Sequence, residues 1–263
     1  MEQELDWGKV AGICTDGAPA MTGNKSGFKA CVNNIAPHIQ FTHCIIHRYA
    51  LAMKTLPPGL LNILSDVIKI VNHIKGNAVN SRIFKVLCDE VGSLFTVLLY
   101  HTEVRWLSRG KVLHRILDLW DELIIFFERQ KTERETLFHE KLKDGVFQLK
   151  VAYLADFFAE VNCLNLQFQG NEVNSLRSQD KVAAFHRKIQ LCQRRVQSKD
   201  TTVFSALTNI LVEKKTECTF ISDISEHLKS LNETIKSYFP DIDQREKKSR
   251  ILKPFSSELE NVI

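Results

Sequence analysis

Apolar residues recur every three or four positions over most of the chain after Pro57-Pro58-Gly59, and this spacing constrains the fold more than any other feature. It is typical of helices that bury one face, so we predict a mainly helical region from residue 56 onward. Residues 146–166 are mainly apolar and aromatic and predict a buried helix. The other predicted buried stripes are Leu60, Leu64, Val67, Val71 and Ile74; Ile83, Leu87 and Val91; Val112, Leu113, Ile116, Trp120, Leu123, Ile124 and Phe127; Val182, Phe185, Ile189, Cys192 and Val196; and Ile224, Leu228, Leu231 and Ile235.

Polar residues and glycines suggest where several of these helices begin and end. Asn80-Ser81 is suited to cap the second helix, which Gly92 follows, and Ser108 is suited to cap the third. Residues 94–100 are apolar but fit either a strand or a buried helix. Residues 130–145 are strongly charged and are interpreted as a helix end or a loop.

The first 55 residues have a different pattern. The small and apolar run Val10–Thr15 predicts a buried strand that ends at Asp16, with a helix at about 27–35 and a second strand within 39–46. A strand–helix–strand order favours parallel pairing. Two strands leave exposed edges, so we expect further strands before residue 1 or a partner chain. The predicted class is α+β, with an α/β piece at 1–55 and a helical domain at 56–263.

Composition narrows the class of protein. Seven cysteines lie far apart with no CxxC pair, which indicates reduced thiols in an intracellular compartment. The acidic start is unlike a secretory signal, and no apolar run is long enough to span a bilayer. The net charge of +4 permits nucleic-acid binding without indicating it.

Asp16 is the first candidate functional residue, because it follows the predicted strand directly. Acids at this position hold metal ions in many α/β enzymes, but one carboxylate rarely holds a catalytic metal alone. The alternative is that Asp16 caps the turn that follows it. The sequence leaves both roles open.

The second candidate is the run His43-Cys44-Ile45-Ile46-His47. Cys44 and His47 have the spacing of half a zinc site, but no second pair stands at ligand spacing elsewhere in the sequence. A buried cysteine beside a hydrogen-bonded histidine is the more common reason for such a pair.

Two further candidates concern nucleic acid. Arg105-Trp106 precedes the predicted cap Ser108 and offers a phosphate contact beside a flat stacking surface, which suits unpaired bases; alternatively, Trp106 is core and Arg105 covers it. A basic helix could follow a phosphate backbone, with Arg187 and Arg194 on one face and Lys188 and Arg195 on another, although basic faces are more often simply solvated. Its cations are Arg177, Lys181, Arg187, Lys188, Arg194, Arg195 and Lys199.

Taken in order, these motifs resemble the hAT superfamily of DNA transposases, and most closely its domesticated vertebrate copies, among them the BED-zinc-finger, SCAN-domain and FAM200-type proteins. Their order and spacing over roughly the first 110 residues make the resemblance specific. The matching residues are Cys14-Thr15-Asp16-Gly17-Ala18-Pro19-Ala20-Met21, Gly23, Gly27, His43-Cys44-Ile45-Ile46-His47 and Arg105-Trp106-Leu107-Ser108.

The resemblance implies an RNase H-like core with a DDE triad and a helical domain inserted between the second acid and the glutamate. Asp16 matches the second acid, Cys44 and His47 match the family's CxxH pair, and Trp106 matches a tryptophan beside the DNA end where hairpins form. The first acid would lie upstream of Met1, and the family's Cys-Glu-x-x-Phe-Ser motif does not occur before Ile263. We therefore expect Asp16 to be vestigial, with no cofactor, and Mg²⁺ only if the triad is completed elsewhere.

The expected function is that of a non-catalytic, truncated, transposase-derived nuclear protein. It is expected to bind DNA, protein partners or a second copy of itself, and no membrane. The first alternative is an active transposase or nuclease that flanking sequence or a partner chain completes. The second is a helical scaffold for protein–protein contact.

Overall fold

The computed structural model describes residues 6–99, 109–130, 132–169, 175–240 and 242, with the side chains of 175 and 176 left out. These residues are mainly helical. After a 3-10 turn at Trp7–Lys9, the elements are β1 (Gly12–Thr15), α1 (Pro19–Thr22), α2 (Phe28–Ile35), β2 (Gln40–His43), α3 (Ile45–Ala52), α4 (Pro58–Lys75), α5 (Ala78–Val91), α6 (Arg109–Asp118), α7 (Trp120–Glu128), α8 (Glu133–Lys143), α9 (Gly145–Gln167), α10 (Ser175–Gln197), α11 (Ser205–Glu213) and α12 (Ile221–Tyr238).

The described residues form two compact units. The first comprises 6–55, 175–184 and 233–240, and the second comprises 56–99, 109–130, 132–169 and 185–232. The first unit therefore combines the amino-terminal α/β segment with one end of α10 and one end of α12. The boundary expected from the sequence, between residues 55 and 56, stays a prediction.

In the first unit, β1 and β2 pair in parallel, with Gly12 opposite Gln40 and Thr15 opposite His43. The predicted parallel pairing and the intervening helix are confirmed. A small apolar cluster of Val32, Ala36 and Ile39 packs beneath the pair. The described residues contain a two-stranded sheet, and the RNase H-like core expected for this segment stays a prediction.

The carboxyl-terminal end of α12 packs against α3 within this unit. The Arg48 guanidinium donates a hydrogen bond to the Tyr238 carbonyl oxygen at 2.9 Å and lies 4.6 Å from the centre of the Phe239 ring. The Thr55 hydroxyl is 3.3 Å from that of Thr234. A helix end that is distant in sequence therefore covers α3.

The second unit is organised around α9, and α4, α6, α8 and α11 pack against it. Buried side chains lie on all sides of its central turns, as expected for a helix without a solvent-facing stripe. The predicted buried helix at 146–166 is confirmed. No helix among the described residues is both long and apolar enough to cross a membrane.

Helix α5 differs from the prediction in its start and its buried face. Its cap is Asn77, whose side chain accepts hydrogen bonds from the Val79 and Asn80 amides, at 2.8 and 3.3 Å. The predicted cap residues instead donate to the last turn of α4, Asn80 to the His73 carbonyl and Ser81 to the Ile74 carbonyl. The buried residues are Phe84, Leu87 and Cys88, whereas Ile83 and Val91 are exposed. Gly92 ends the helix at a φ of +77°, as predicted.

The single helix predicted after Ser108 is two helices, and Ser108 itself lies outside the described residues. The break falls at Leu119, where φ is −116° and ψ is 27°. It coincides with Trp120, whose indole N–H donates to the Leu142 carbonyl at 3.1 Å. A tertiary hydrogen bond from a buried indole therefore accompanies the break between the two helices. The spacing of apolar residues in the sequence does not reveal such a contact.

The two segments left open by the sequence differ from each other. Residues 93–99 are neither strand nor helix, and Arg115 holds them by donating to the Val97 carbonyl at 3.0 Å and stacking on Phe95 at 3.5 Å. Most of the charged segment is helical, as α8. It starts with a capping box between Thr132 and Glu135.

Candidate functional site

The first candidate site is the carboxyl end of β1. The Asp16 side chain is exposed, and one of its carboxylate oxygens accepts a hydrogen bond from the Ala18 amide at 3.0 Å. This is the turn-capping interaction that was one of the two roles considered for the residue. The contact holds the chain as it leaves the strand.

Because Gly17 has no side chain, the backbone at this position lies directly against the His43 ring. Its φ is +78°, a left-handed conformation that favours glycine. A Cβ placed there would lie 2.5 Å from His43 Cε1 and 2.6 Å from its Nε2. The turn after β1 and the last residue of β2 therefore depend on each other sterically.

His43 is held in an environment that disfavours its charged form. Burial lowers the pKa of His43, and the nearby positive charges of His47 and Arg48 act in the same direction, against an opposing contribution from Asp16. Its Nε2 atom is buried and has no hydrogen-bond partner among the described residues. The environment of the ring therefore favours its neutral form.

Cys44 and His47 connect β2 to α3. The Cys44 amide donates to the Thr15 carbonyl at 2.8 Å, which extends the pairing with β1, and its carbonyl accepts from the Arg48 amide at 2.9 Å. The His47 ring centre lies 5.5 Å from that of His43. Within the described residues, no cluster of three or more histidine, cysteine, aspartate or glutamate side chains could hold a metal ion.

The second candidate site is the outward surface of α10, which belongs to the second unit from Phe185 onward. Arg187 and Arg194 are exposed, and neither side chain has an ion pair or hydrogen bond with another residue that the structure describes. They stand seven residues apart, about two helical turns, and so share one face. We call this pair the open arginine face.

The neighbouring basic pair has a different environment. Lys188 forms an ion pair with Glu160 at 2.6 Å, and Arg195 lies 3.6 Å from Asp200 and donates to the Thr202 hydroxyl at 3.3 Å. The structure therefore separates the four cations singled out in the sequence into an open pair and an ion-paired pair. Arg177 and Lys181 also have interaction partners.

The rotation of α10 about its axis is fixed by its buried side. The predicted stripe Val182, Phe185, Ile189, Cys192 and Val196 is buried throughout. His186 is also buried, and its Nε2 lies 2.6 Å from the Asn232 side-chain oxygen. With this side fixed, Arg187 and Arg194 point away from the core.

The remaining predicted DNA-binding residues, Arg105 and Trp106, lie outside the described residues. Their proposed roles in phosphate contact and base stacking stay predictions.

Sequence reasoning missed one polar residue that organises the second unit. Asp156 lies in α9 and is 7% exposed, and its carboxylate accepts hydrogen bonds from the Ala206 and Leu207 amides at 3.1 Å and from the Ser205 hydroxyl at 3.2 Å. It thereby caps α11. Burial raises the pKa of Asp156 although these hydrogen bonds oppose the shift. The available signal was an acid within the run Val151–Phe158, whose other residues are all apolar or aromatic.

Most of the helical part of the chain matches a known family. Residues 43–197, from the end of β2 to the end of α10, match the FAM200-GTF2IRD2-like family model, described as the FAM200/GTF2IRD2 helical domain. The chain belongs to this family. The matched range includes Cys44, His47 and the open arginine face.

A longer relative extends the similarity beyond that range. The chain is 27% identical over 229 residues to General transcription factor II-I repeat domain-containing protein 2 of Bos taurus. The alignment covers 84% of this chain and 23% of that protein, so the chain spans about a quarter of its relative's length. No solved structure matches the chain.

Proposed function

We propose that this chain is a non-catalytic, transposase-derived nuclear protein of hAT ancestry whose helical domain binds DNA. The observation that carries the DNA-binding part is the open arginine face. Two guanidinium groups that form no ion pair with any other residue the structure describes are held outward by a buried helix side, and they provide charge for phosphates.

The ancestry rests on two kinds of support. The family match gives a FAM200/GTF2IRD2 helical domain, and the motifs from Cys14 to Ser108 follow the order seen in hAT transposases. The nuclear location is proposed because the relative is named as a general transcription factor repeat-domain protein. On this reading, residues 1–55 derive from an RNase H-like core.

The non-catalytic part of the proposal rests on what Asp16 does. Its carboxylate accepts a hydrogen bond from the Ala18 amide, and the adjacent Gly17 packs on His43. A structural role therefore accounts for these residues at the end of β1. The competing function is a transposase or nuclease whose other acids come from flanking sequence or from a partner chain.

A cleavage assay separates these two functions. The purified chain is incubated with labelled duplex and hairpin DNA in Mg²⁺ or Mn²⁺, beside an Asp16→Asn variant. We expect neither protein to nick or join DNA. Cleavage by the wild type that is lost specifically in Asp16→Asn would replace the proposal with an enzyme.

The predicted stacking role of Trp106 is tested with DNA of different structure. Stacking contributes roughly 1–3 kcal/mol per unpaired base. Trp106→Ala should therefore weaken binding to single-stranded or hairpin ends more than binding to plain duplex, and Arg105→Ala should weaken both. If Trp106 is instead a core residue, its loss lowers stability by about 3–5 kcal/mol and weakens all binding together. That result would remove it from the site.

A further inference from the structure

The outer face of α5 carries aliphatic side chains where a surface helix normally carries polar ones. Val79 is 58% exposed, Ile83 46% and Val86 54%. They stand at positions i, i+4 and i+7 and so form one stripe. We call these three residues the α5 stripe.

The stripe lies on the exposed part of the helix surface, apart from the residues that α5 buries. Phe84, Leu87 and Cys88 are buried on the inner side, toward α4 and α7. These three residues already form the one apolar face that a surface helix normally buries. A second, exposed apolar face is typical of a contact surface for another protein.

The apolar surface continues past the end of the helix, on a segment that is held in place. Leu94 is 89% exposed and Val97 45%. The segment is anchored because Ser93 donates to Glu122 and Arg115 donates to the Val97 carbonyl. Leu94 therefore exposes its side chain from an anchored segment that follows α5 directly in the chain.

The charges beside the stripe indicate which partner fits it. Arg82 and Asp89 are both exposed and stand seven residues apart, so both flank the same side of the stripe, one toward each end. Neither has an ion pair within the described residues. A basic group at one end and an acidic group at the other form a self-complementary pattern.

We propose that the α5 stripe is an antiparallel contact surface for a second copy of this chain. In a dimer with two-fold symmetry, every contact between two different residues of the two copies occurs twice. With the axis between Ile83 and Val86, Ile83 packs against Val86 of the second copy. Arg82 then lies opposite Asp89 of the second copy, and this pair occurs twice.

Glu90 fits the same arrangement. It continues the line of the stripe toward the carboxyl end of α5 and is exposed. In the antiparallel pair it lies near Val79 of the second copy, at the amino-terminal turn of that helix. A helix amino terminus attracts a carboxylate. A contact made mainly by one helix is smaller than a standard interface, so the dimer is expected to be weak.

Sedimentation of the full chain over a range of protein concentrations tests the apolar part of the proposal. The wild type should associate reversibly, and Val86→Glu should raise the dissociation constant more than about tenfold, because dimerisation would bury a charge. Val212→Glu is the matched control, since Val212 is 71% exposed on α11, and it should associate like the wild type. Both positions are exposed, so the variants should keep the thermal unfolding of the wild type.

Charge reversal tests the antiparallel orientation. Arg82→Glu alone and Asp89→Arg alone should each raise the dissociation constant about three- to tenfold. The chain with both changes should recover the wild-type value, and so should a mixture of the two single variants. In a parallel two-fold pair, Arg82 and Asp89 of one copy would lie on the opposite flank from those of the other copy, so neither single reversal would bring like charges together.

Three results would overturn the proposal. One is a wild type that stays monomeric at all concentrations, which would mean that another part of the chain or another protein covers the stripe. The second is association by Val86→Glu equal to that of the wild type. The third is single reversals without effect.

Discussion

The strand pair β1–β2 and the helix α9 are enclosed by their neighbours to very different extents. Within β1, Thr15 is buried while Gly12 and Cys14 are exposed. In α9, the residues from Val151 to Phe158 are all buried. The helical unit is therefore stabilised by extensive burial, whereas the strand end depends on a few specific contacts. Substitutions should consequently cost most around α9, less at the strand end, and almost nothing on the open arginine face.

The largest effect is expected for Asp156→Ala. Removing the carboxylate leaves the Ala206 and Leu207 amides without their acceptor and α11 without its cap. We expect the free energy of unfolding to fall by about 3 kcal/mol, from the lost cap and the unpaired buried amides together. Chemical denaturation measures the change, and hydrogen exchange should show α11 losing protection first.

Asp200→Ala is the matched control for this prediction. Asp200 also caps a turn, since its carboxylate accepts a hydrogen bond from the Thr202 amide at 2.9 Å, but this contact lies at the surface. Its loss should lower the free energy of unfolding much less than the loss of Asp156 does. Equal losses at the two positions would contradict the proposed importance of burial.

A smaller effect is expected for Gly17→Ala at the strand end. The left-handed backbone and the contact with His43 should together cost about 2 kcal/mol, measured as the change in hydrogen-exchange protection of β1 and β2. Gly92→Ala provides the comparison, because its φ of +77° is nearly the same and a Cβ there would meet no atom within 4 Å. It should cost about 1 kcal/mol by backbone strain alone.

A second substitution identifies the contact at Gly17. If the His43 ring causes the additional cost, combining Gly17→Ala with His43→Ala should reduce the penalty of the alanine at position 17 toward that of Gly92→Ala. A penalty that is unchanged by removing the ring would show that the backbone alone is responsible.

The sequence predicted the helices whose buried stripes are set by their own periodicity. The stripes of α4, α10 and α12 lie where expected, because each helix packs one face and each apolar residue on it is buried. The start of α5 was wrong because Asn80 and Ser81 resemble a cap but bond back to the carbonyls of α4. The break at Leu119 also coincides with a contact to a distant partner, the Leu142 carbonyl that Trp120 reaches.

The candidate site was predictable to a similar extent. The turn-capping contact of Asp16 follows from local geometry, since its partner is only two residues away. Which cations of α10 form ion pairs with other described residues could not be predicted, because Lys188 pairs with Glu160 from α9. That pairing requires the three-dimensional arrangement of two helices, whereas the sequence gives only the spacing of charges along one.

The smallest effect concerns pH at the strand end. Because the pKa of His43 is lowered in the folded chain, the unfolded chain binds more protons once the pH falls to about 6.5, the ordinary histidine value. Stability of the strand pair should therefore decrease as pH falls through about 6.5 and level off below the lowered pKa of the folded state. Hydrogen exchange of β1 and β2 across this range is the measurement.

His43→Gln should reduce that pH dependence by removing the titrating group. The same change at His38, an exposed histidine of the same segment, is the control. Asp16, His47 and Arg48 surround His43 in both proteins, so their contribution is common to the comparison. If the pH dependence survives in His43→Gln and disappears in the control, His43 is not the residue that causes it, and the prediction is wrong.

The most direct test of the proposed function is the salt dependence of DNA binding with the open arginine face reversed. Each phosphate contact adds about 0.9 to the slope of log binding constant against log salt concentration. Arg187→Glu with Arg194→Glu should therefore weaken binding to duplex DNA at every salt concentration and lower the slope by about 2. Arg129→Glu with Lys229→Glu, two exposed cations of the same unit, changes the net charge equally and should leave the slope nearly unchanged. Equal losses in the two double variants, or a wild type that does not bind DNA, would contradict a DNA-binding role for this face.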